Sequence, residues 1–97
     1  MITHATKFEE INKGVVLVDF YATWCGPCKM MAPALEAFAA VSPGLNVVKV
    51  DVDEAPVLAA QFGIRSVPTI ALLKDGKVLK QRSGAMSVAQ LADFVKL

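Results

Sequence analysis

The stretch from residue 15 to residue 52 constrains the fold most. It opens with VVLVDFY (Val15 to Tyr21) and closes with NVVKVDV (Asn46 to Val52). Both are nearly continuous apolar runs rich in β-branched residues, which suits inner strands buried on both faces better than strands alternating between core and water. Between them, Met31, Leu35 and Phe38 recur at helical spacing, so a helix starting near Cys25 or Cys28 and reaching about Val41 joins the two strands. Strand, helix, strand is a crossover, and it lays the two strands parallel. Pro33 lies inside that helix and is expected to kink it, and Ser42-Pro43-Gly44 stops it.

The flanking segments complete the architecture. Thr6-Lys7-Phe8-Glu9 fits a capping box, in which Thr6 and Glu9 satisfy free backbone donors, so a short helix is expected from Lys7 to about Asn12, ended by Gly14. Before it, a first strand spans at most Ile2 to Ala5. Pro56 to Phe62 reads as a short helix with Gly63 as a left-handed stop. Pro68 to Leu73 and Lys77 to Arg82 read as two strands around Asp75-Gly76, a strong hairpin signal. Ser87 caps a last helix that reaches about Val95. The crossover supplies parallel strands and the hairpin antiparallel ones, so the fold class is α/β, a central mixed β-sheet with helices on both faces.

Composition narrows the function. A chain of 97 residues holds one small core, so residues 1–97 are expected to form a single domain. Apolar segments are broken by Pro, Gly or charge well short of the roughly 20 residues of a membrane span. MITHATKFEE has no apolar stretch behind it and makes no secretory signal, which leaves a cytoplasmic location as the expectation. Ten basic and nine acidic side chains, without a run of either sign, suggest neither nucleic acid nor an anionic membrane as partner.

Residues 24 to 28, WCGPC, hold both cysteines and the single tryptophan. A zinc site takes four Cys or His ligands, and two cysteines with one distant histidine, His4, fall short of that. A structural staple closing so short a loop would stabilise by only about 2 kcal/mol in the chain-entropy model. A working redox pair fits better. Residues three apart on a helix keep their Cβ atoms about 5–6 Å apart, whereas a relaxed disulfide wants about 3.5–4.5 Å, so such a bridge forms with modest adjustment and opens readily. A thiol at the start of a helix meets free backbone N–H groups and the positive end of the dipole, both of which favour thiolate. Cys25 is therefore expected to be the reachable nucleophile and Cys28, one turn inside, the resolving thiol. Gly26 permits close approach to the backbone, and Pro27 preorganises the turn without losing a needed donor.

VLVDFYATWCGPCKMMAP, VKVDVD, FGIRSVPT, LLKDGKVL and SGAMS, in that order and over nearly the whole chain, resemble the thioredoxin family. The resemblance implies the thioredoxin fold and a disulfide oxidoreductase that needs no cofactor or metal, acts as a monomer on disulfide-containing proteins and is recharged by a thioredoxin reductase. Val67-Pro68 resembles the family's cis-proline peptide, whose backbone pairs with an extended substrate. Trp24, Ile64, Val67, Gly84 and Ala85 match positions that form the apolar substrate groove, while Lys29, Arg65 and Ser66 sit near it and are expected to be solvated surface. Asp19 stands among apolar neighbours, where a carboxylate is costly unless paired or protonated. The resemblance makes it the acceptor of the Cys28 proton, with Lys49 beside it; solvated strand-end and strand-edge positions are the alternatives. Tyr21 departs from the pattern where a second tryptophan is frequent, and Ser83 where an apolar residue precedes the groove glycine. Two other functions compete: a glutaredoxin-like enzyme using glutathione, disfavoured because VPT is not followed by paired glycines and an aspartate, and a non-catalytic binding module, disfavoured by the intact cysteines.

Overall fold

A computed structural model describes residues 2–96. The elements are β1 (Ile2–His4), a 3-10 turn (Phe8–Glu10), β2 (Val15–Tyr21), α1 (Gly26–Ala40), β3 (Asn46–Asp51), α2 (Pro56–Gln61), β4 (Thr69–Lys74), β5 (Lys77–Ser83) and α3 (Val88–Phe94). The strands form one sheet in the order β1-β3-β2-β4-β5. β3 lies parallel to β1 and β2, while β4 runs antiparallel to β2 and β5. The inner position of the two apolar runs follows from their composition, since only a strand with neighbours and helices on all sides hides so many side chains.

Each inner strand feeds two cores, because successive side chains point to opposite faces. Val16, Val18 and Phe20 join Val48, Val50, Ala71, Leu73 and Leu58 of α2 on one face. Leu17, Val47, Ile70 and Leu72 meet Met31, Leu35 and Phe38 of α1 and Leu91 of α3 on the other. By the same alternation Asp19 and Lys49 belong to the α1 face. Pro33 lies on the exposed side of α1, which continues without a break to Ala40.

The first helix is shorter and begins later than its sequence suggests. Ala5 is buried and donates its N–H to the Lys49 carbonyl at 3.0 Å, which keeps the chain extended through Lys7 (φ −127°, ψ 146°). Only a single 3-10 turn follows. The carboxylate that folds back is therefore Glu10 rather than Glu9: its Oε1 accepts from the N–H groups of Thr6 and Lys7, each at 3.1 Å. At the other end of the chain the expected cap is present, with Ser87 Oγ accepting from Gln90 N–H at 3.2 Å and Gln90 Oε1 accepting from Ser87 N–H at 2.9 Å. After α2, Gly63 turns left-handed (φ +65°) and the N–H of Ile64 returns to the Ala59 carbonyl at 3.1 Å, a helix stop that leaves Ile64 packed on the core that includes Phe20.

The β4–β5 turn uses Asp75 (φ +50°) and Gly76 (φ +83°), with Lys74 and Lys77 paired across it. A Cβ at Gly76 would lie 2.6 Å from the Phe8 ring carbon Cζ. Gly76→Ala is therefore expected to destabilise the protein by about 2 kcal/mol, through left-handed strain plus displacement of Phe8. Gly44→Ala, where nothing lies within 4 Å, is expected to stay within about 0.5 kcal/mol of the parent. Urea unfolding midpoints of the two variants check both values.

Candidate active site

β2 delivers the chain to buried Ala22, whose carbonyl accepts from Cys25 N–H at 3.3 Å. That bond turns the chain out of the sheet and makes Cys25 the N-cap of α1. Cys25 and Cys28 are joined as a disulfide with their Cα atoms 5.3 Å apart, inside the range a bridge requires. Cys28 N–H, a free donor of the first turn, points at Cys25 Sγ at 3.1 Å. Gly26 and Pro27 occupy the first two helical positions and are exposed. The proline falls where its missing N–H leaves no partner unserved.

The two cysteines are 4% and 5% exposed, so Cys25 is not the more reachable of the two, contrary to the expectation for a thiol at a helix start. The strand-to-helix turn packs both against Ala22 and Val67. The difference between the two sulfurs is electrostatic, because among the described residues Cys25 Sγ alone receives a backbone N–H, and it sits at the positive end of the helix.

The loop before β4 closes the site. Val67-Pro68 is a cis peptide, and Val67 packs on the cysteine cluster. Gly84 (φ +103°) donates its N–H to the Pro68 carbonyl at 2.9 Å, which sets Gly84 and exposed Ala85 beside the cis peptide. Trp24, Ile64 and Val67 line a depression of about 150 Å³ together with Val52, Arg65 and Ser66. Arg65 and Ser66 are exposed at the rim of this depression, and Lys29 is exposed as expected. Gly84 and Ala85 do not line this depression.

Ser83 has a structural reason. Its Oγ lies 3.1 Å from Thr69 Oγ1 and 3.3 Å from Ser66 Oγ, and Thr69 Oγ1 donates to the Ser66 carbonyl at 2.8 Å. These hydroxyls tie β5 to the residues preceding the cis peptide. Asp53 was not anticipated from sequence. Its Oδ2 accepts from Trp24 Nε1 at 2.9 Å and thereby orients a side chain that is 68% exposed. Asp51 Oδ1 accepts from Asp53 N–H at 2.9 Å, a local turn that the DVD spelling at the end of β3 could have signalled.

Asp19 is buried, 2% exposed, and its Oδ1 has no hydrogen-bond partner among the described residues. Loss of water raises its pKa to about 6, and the Lys49 charge opposes the rise. Lys49 is its register partner on β3, so the solvated strand-end alternative for Asp19 is excluded by burial. Among the described residues no three His, Cys, Asp or Glu side chains converge as metal ligands, and no helix is long and apolar enough to cross a membrane.

A disulfide at a helix N-terminus, with a donor on one sulfur and an apolar depression beside it, is built for thiol–disulfide exchange: this is a protein disulfide oxidoreductase site. A family model described as Thioredoxin matches residues 1–97. The chain is 51% identical to a thioredoxin of Chlamydia muridarum over 90% of its own length and 85% of the relative's. It is 43% identical to one of Listeria monocytogenes, over 97% and 92% respectively. Among solved structures, a thioredoxin from Nicotiana alata is 36% identical with a TM-score of 0.85, covering 97% of this chain and 89% of that one. A thioredoxin variant from Halobacterium salinarum superposes with a TM-score of 0.88 at 36% identity, covering 97% and 87%. The chain belongs to the thioredoxin family.

Proposed function

We propose that this chain, working as one monomeric domain, reduces disulfides in other proteins and is itself returned to the dithiol form by a thioredoxin reductase. The observation that carries the reading is the Cys28 N–H placed on Cys25 Sγ at the head of α1. In the reduced protein the same donor and the helix dipole favour the Cys25 thiolate. That thiolate attacks one sulfur of a substrate disulfide, forming a mixed disulfide, and the other substrate sulfur leaves as a thiolate that takes up a proton. Cys28 then gives its proton to Asp19 and attacks Cys25 Sγ, which releases the second substrate thiolate. Two electrons pass to the substrate, and the Cys25–Cys28 disulfide is left behind.

The depression lined by Trp24, Ile64 and Val67 suits the apolar side chains flanking an exposed disulfide, and the backbone at Val67, beside the cysteines, suits pairing with an extended substrate segment. Gly26, Pro27, Gly84 and Ala85 complete the approach. A cytoplasmic location fits a dithiol that must be kept reduced. Turnover of an interchain protein disulfide supported by NADPH and thioredoxin reductase, and unsupported by glutathione alone, is the expected result. Efficient turnover with glutathione and none with the reductase would overturn the reading in favour of a glutaredoxin-like enzyme.

Trp24 provides an optical check. It directly precedes Cys25, it is the only tryptophan of the chain, and a neighbouring disulfide quenches indole emission. Fluorescence is expected to rise on reduction with dithiothreitol and to stay flat under the same treatment in a Cys25→Ser, Cys28→Ser double variant.

A further inference from the structure

The proposed proton transfer leaves open where the Lys49 charge resides. Lys49 and Asp19 are register partners across β3 and β2, so their side chains leave the sheet next to each other on one face. A buried carboxylate with an unpartnered Oδ1 is an attractive neighbour for an ammonium. Yet the ion pair found among the described residues joins Lys96 to Asp93. Lys49 instead holds its Nζ 4.2 Å from the centroid of the Tyr21 ring. Tyr21 is two residues beyond Asp19 on β2 and so lies on the same face. His4, the register partner of Lys49 on β1, meets the Tyr21 ring edge to face at 6.3 Å and 72°.

We propose that Tyr21 is a positioning residue whose ring captures the Lys49 ammonium and keeps it from closing an ion pair onto Asp19. A cation over an aromatic face gains about 0.5–2 kcal/mol. Pairing with Asp19 would draw the ammonium into a drier site at a desolvation cost comparable to the attraction, so the ring needs only to tip the balance. The consequence for resolution rests on the proposed role of Asp19 as proton acceptor; the placement of the lysine does not.

The groups around the pair make the direction clear. The row across the sheet reads His4, Lys49, Asp19, Ile70, Arg82, with Ile70 standing between Asp19 and the exposed Arg82. Burial, and after it the charges of Asp51, Glu54 and Asp19, raise the pKa of the Tyr21 hydroxyl. α1 and α3 bring apolar Met31, Leu35 and Leu91 to this face. Without the ring, Lys49 loses one of two competing partners and turns to the carboxylate. An opposite charge at close range favours the ionised form, so Asp19 becomes a weaker proton acceptor at neutral pH.

The test is a carbon-13 NMR titration of the Asp19 carboxyl in the oxidised protein, where the cysteines do not titrate. Tyr21→Leu is expected to lower the Asp19 midpoint by about one unit, Tyr21→Phe to leave it in place, and Tyr21→Leu to have no effect once Lys49 is replaced by Met. An unchanged or raised midpoint in Tyr21→Leu overturns the proposal, as does an equal fall in Tyr21→Phe, which would assign the effect to the hydroxyl. Should Tyr21→Leu fail to fold, the Lys49 ε-protons of the parent decide the matter: an upfield ring-current shift supports capture by Tyr21, and random-coil positions overturn it. Single-turnover resolution rates read the role of Asp19 separately, so failure of that role leaves the titration result standing.

Discussion

Cys28→Ser is expected to accumulate a stable mixed disulfide with a protein substrate through Cys25, up to one adduct per chain, while Cys25→Ser accumulates none and loses turnover altogether. The reason is the asymmetry at the head of α1. Cys25 Sγ accepts the Cys28 N–H at 3.1 Å and caps the helix, so its thiolate is the stabilised one. Cys28 lies one turn inside, where its proposed task is to break the bond that Cys25 has made. Since the two residues are equally buried, trapping tests thiolate stabilisation rather than access. Peptide mass mapping of the adducts is the measurement, and equal trapping by both variants would reverse the assignment. The pH at which Cys25 reacts with iodoacetamide in the reduced protein gives an independent reading, expected below the ordinary thiol range.

Asp19→Asn is expected to move stability and activity in opposite directions. The Asp19 pKa is raised to about 6 from 3.8, so the folded protein binds that proton more tightly than the unfolded chain does. Below about pH 4 both states carry the proton and the fold bears no penalty. As pH climbs through the raised value the folded carboxyl ionises at a cost, which reaches about 3 kcal/mol above it. Asparagine removes that cost but leaves a buried amide with too few partners. The net gain is therefore expected to be about 1–2 kcal/mol at pH 8, vanishing below pH 4. Resolution by Cys28 is expected to slow about 100-fold at pH 7 for want of an acceptor. Denaturant unfolding at several pH values, paired with single-turnover kinetics, measures both halves. An Asn variant that is less stable at pH 8 would remove the desolvation argument, and one that resolves at the parent rate would remove the catalytic one.

Most of the fold was legible because its signals are local. The inner strands, the Asp75-Gly76 hairpin and the Ser87 cap each depend on residues a few positions apart, and each appears within a residue or two of its expected bounds. The first helix was misjudged because a distant partner intervened: the Ala5 hydrogen bond to Lys49 holds the chain straight past Thr6, and a capping pattern read in isolation cannot register that. Ser83 and Tyr21, departures in the sequence, acquire partners only when β5 meets the Ser66 loop and when β2 meets β3.

By itself the sequence determined the strand-helix-strand crossover, the placing of WCGPC at a strand-to-helix turn, and an acid within an inner strand. Apolar periodicity, turn residues and helix-end chemistry act between near neighbours and can be read along the chain. Tertiary structure alone decided which side chains share a surface. Sheet register set Lys49 beside Asp19 and Tyr21, the Asp51 turn aimed Asp53 at Trp24, and packing on Ala22 and Val67 buried both cysteines alike. Those contacts join residues up to dozens of positions apart, and their energies exist only once the sheet has fixed the distances between them.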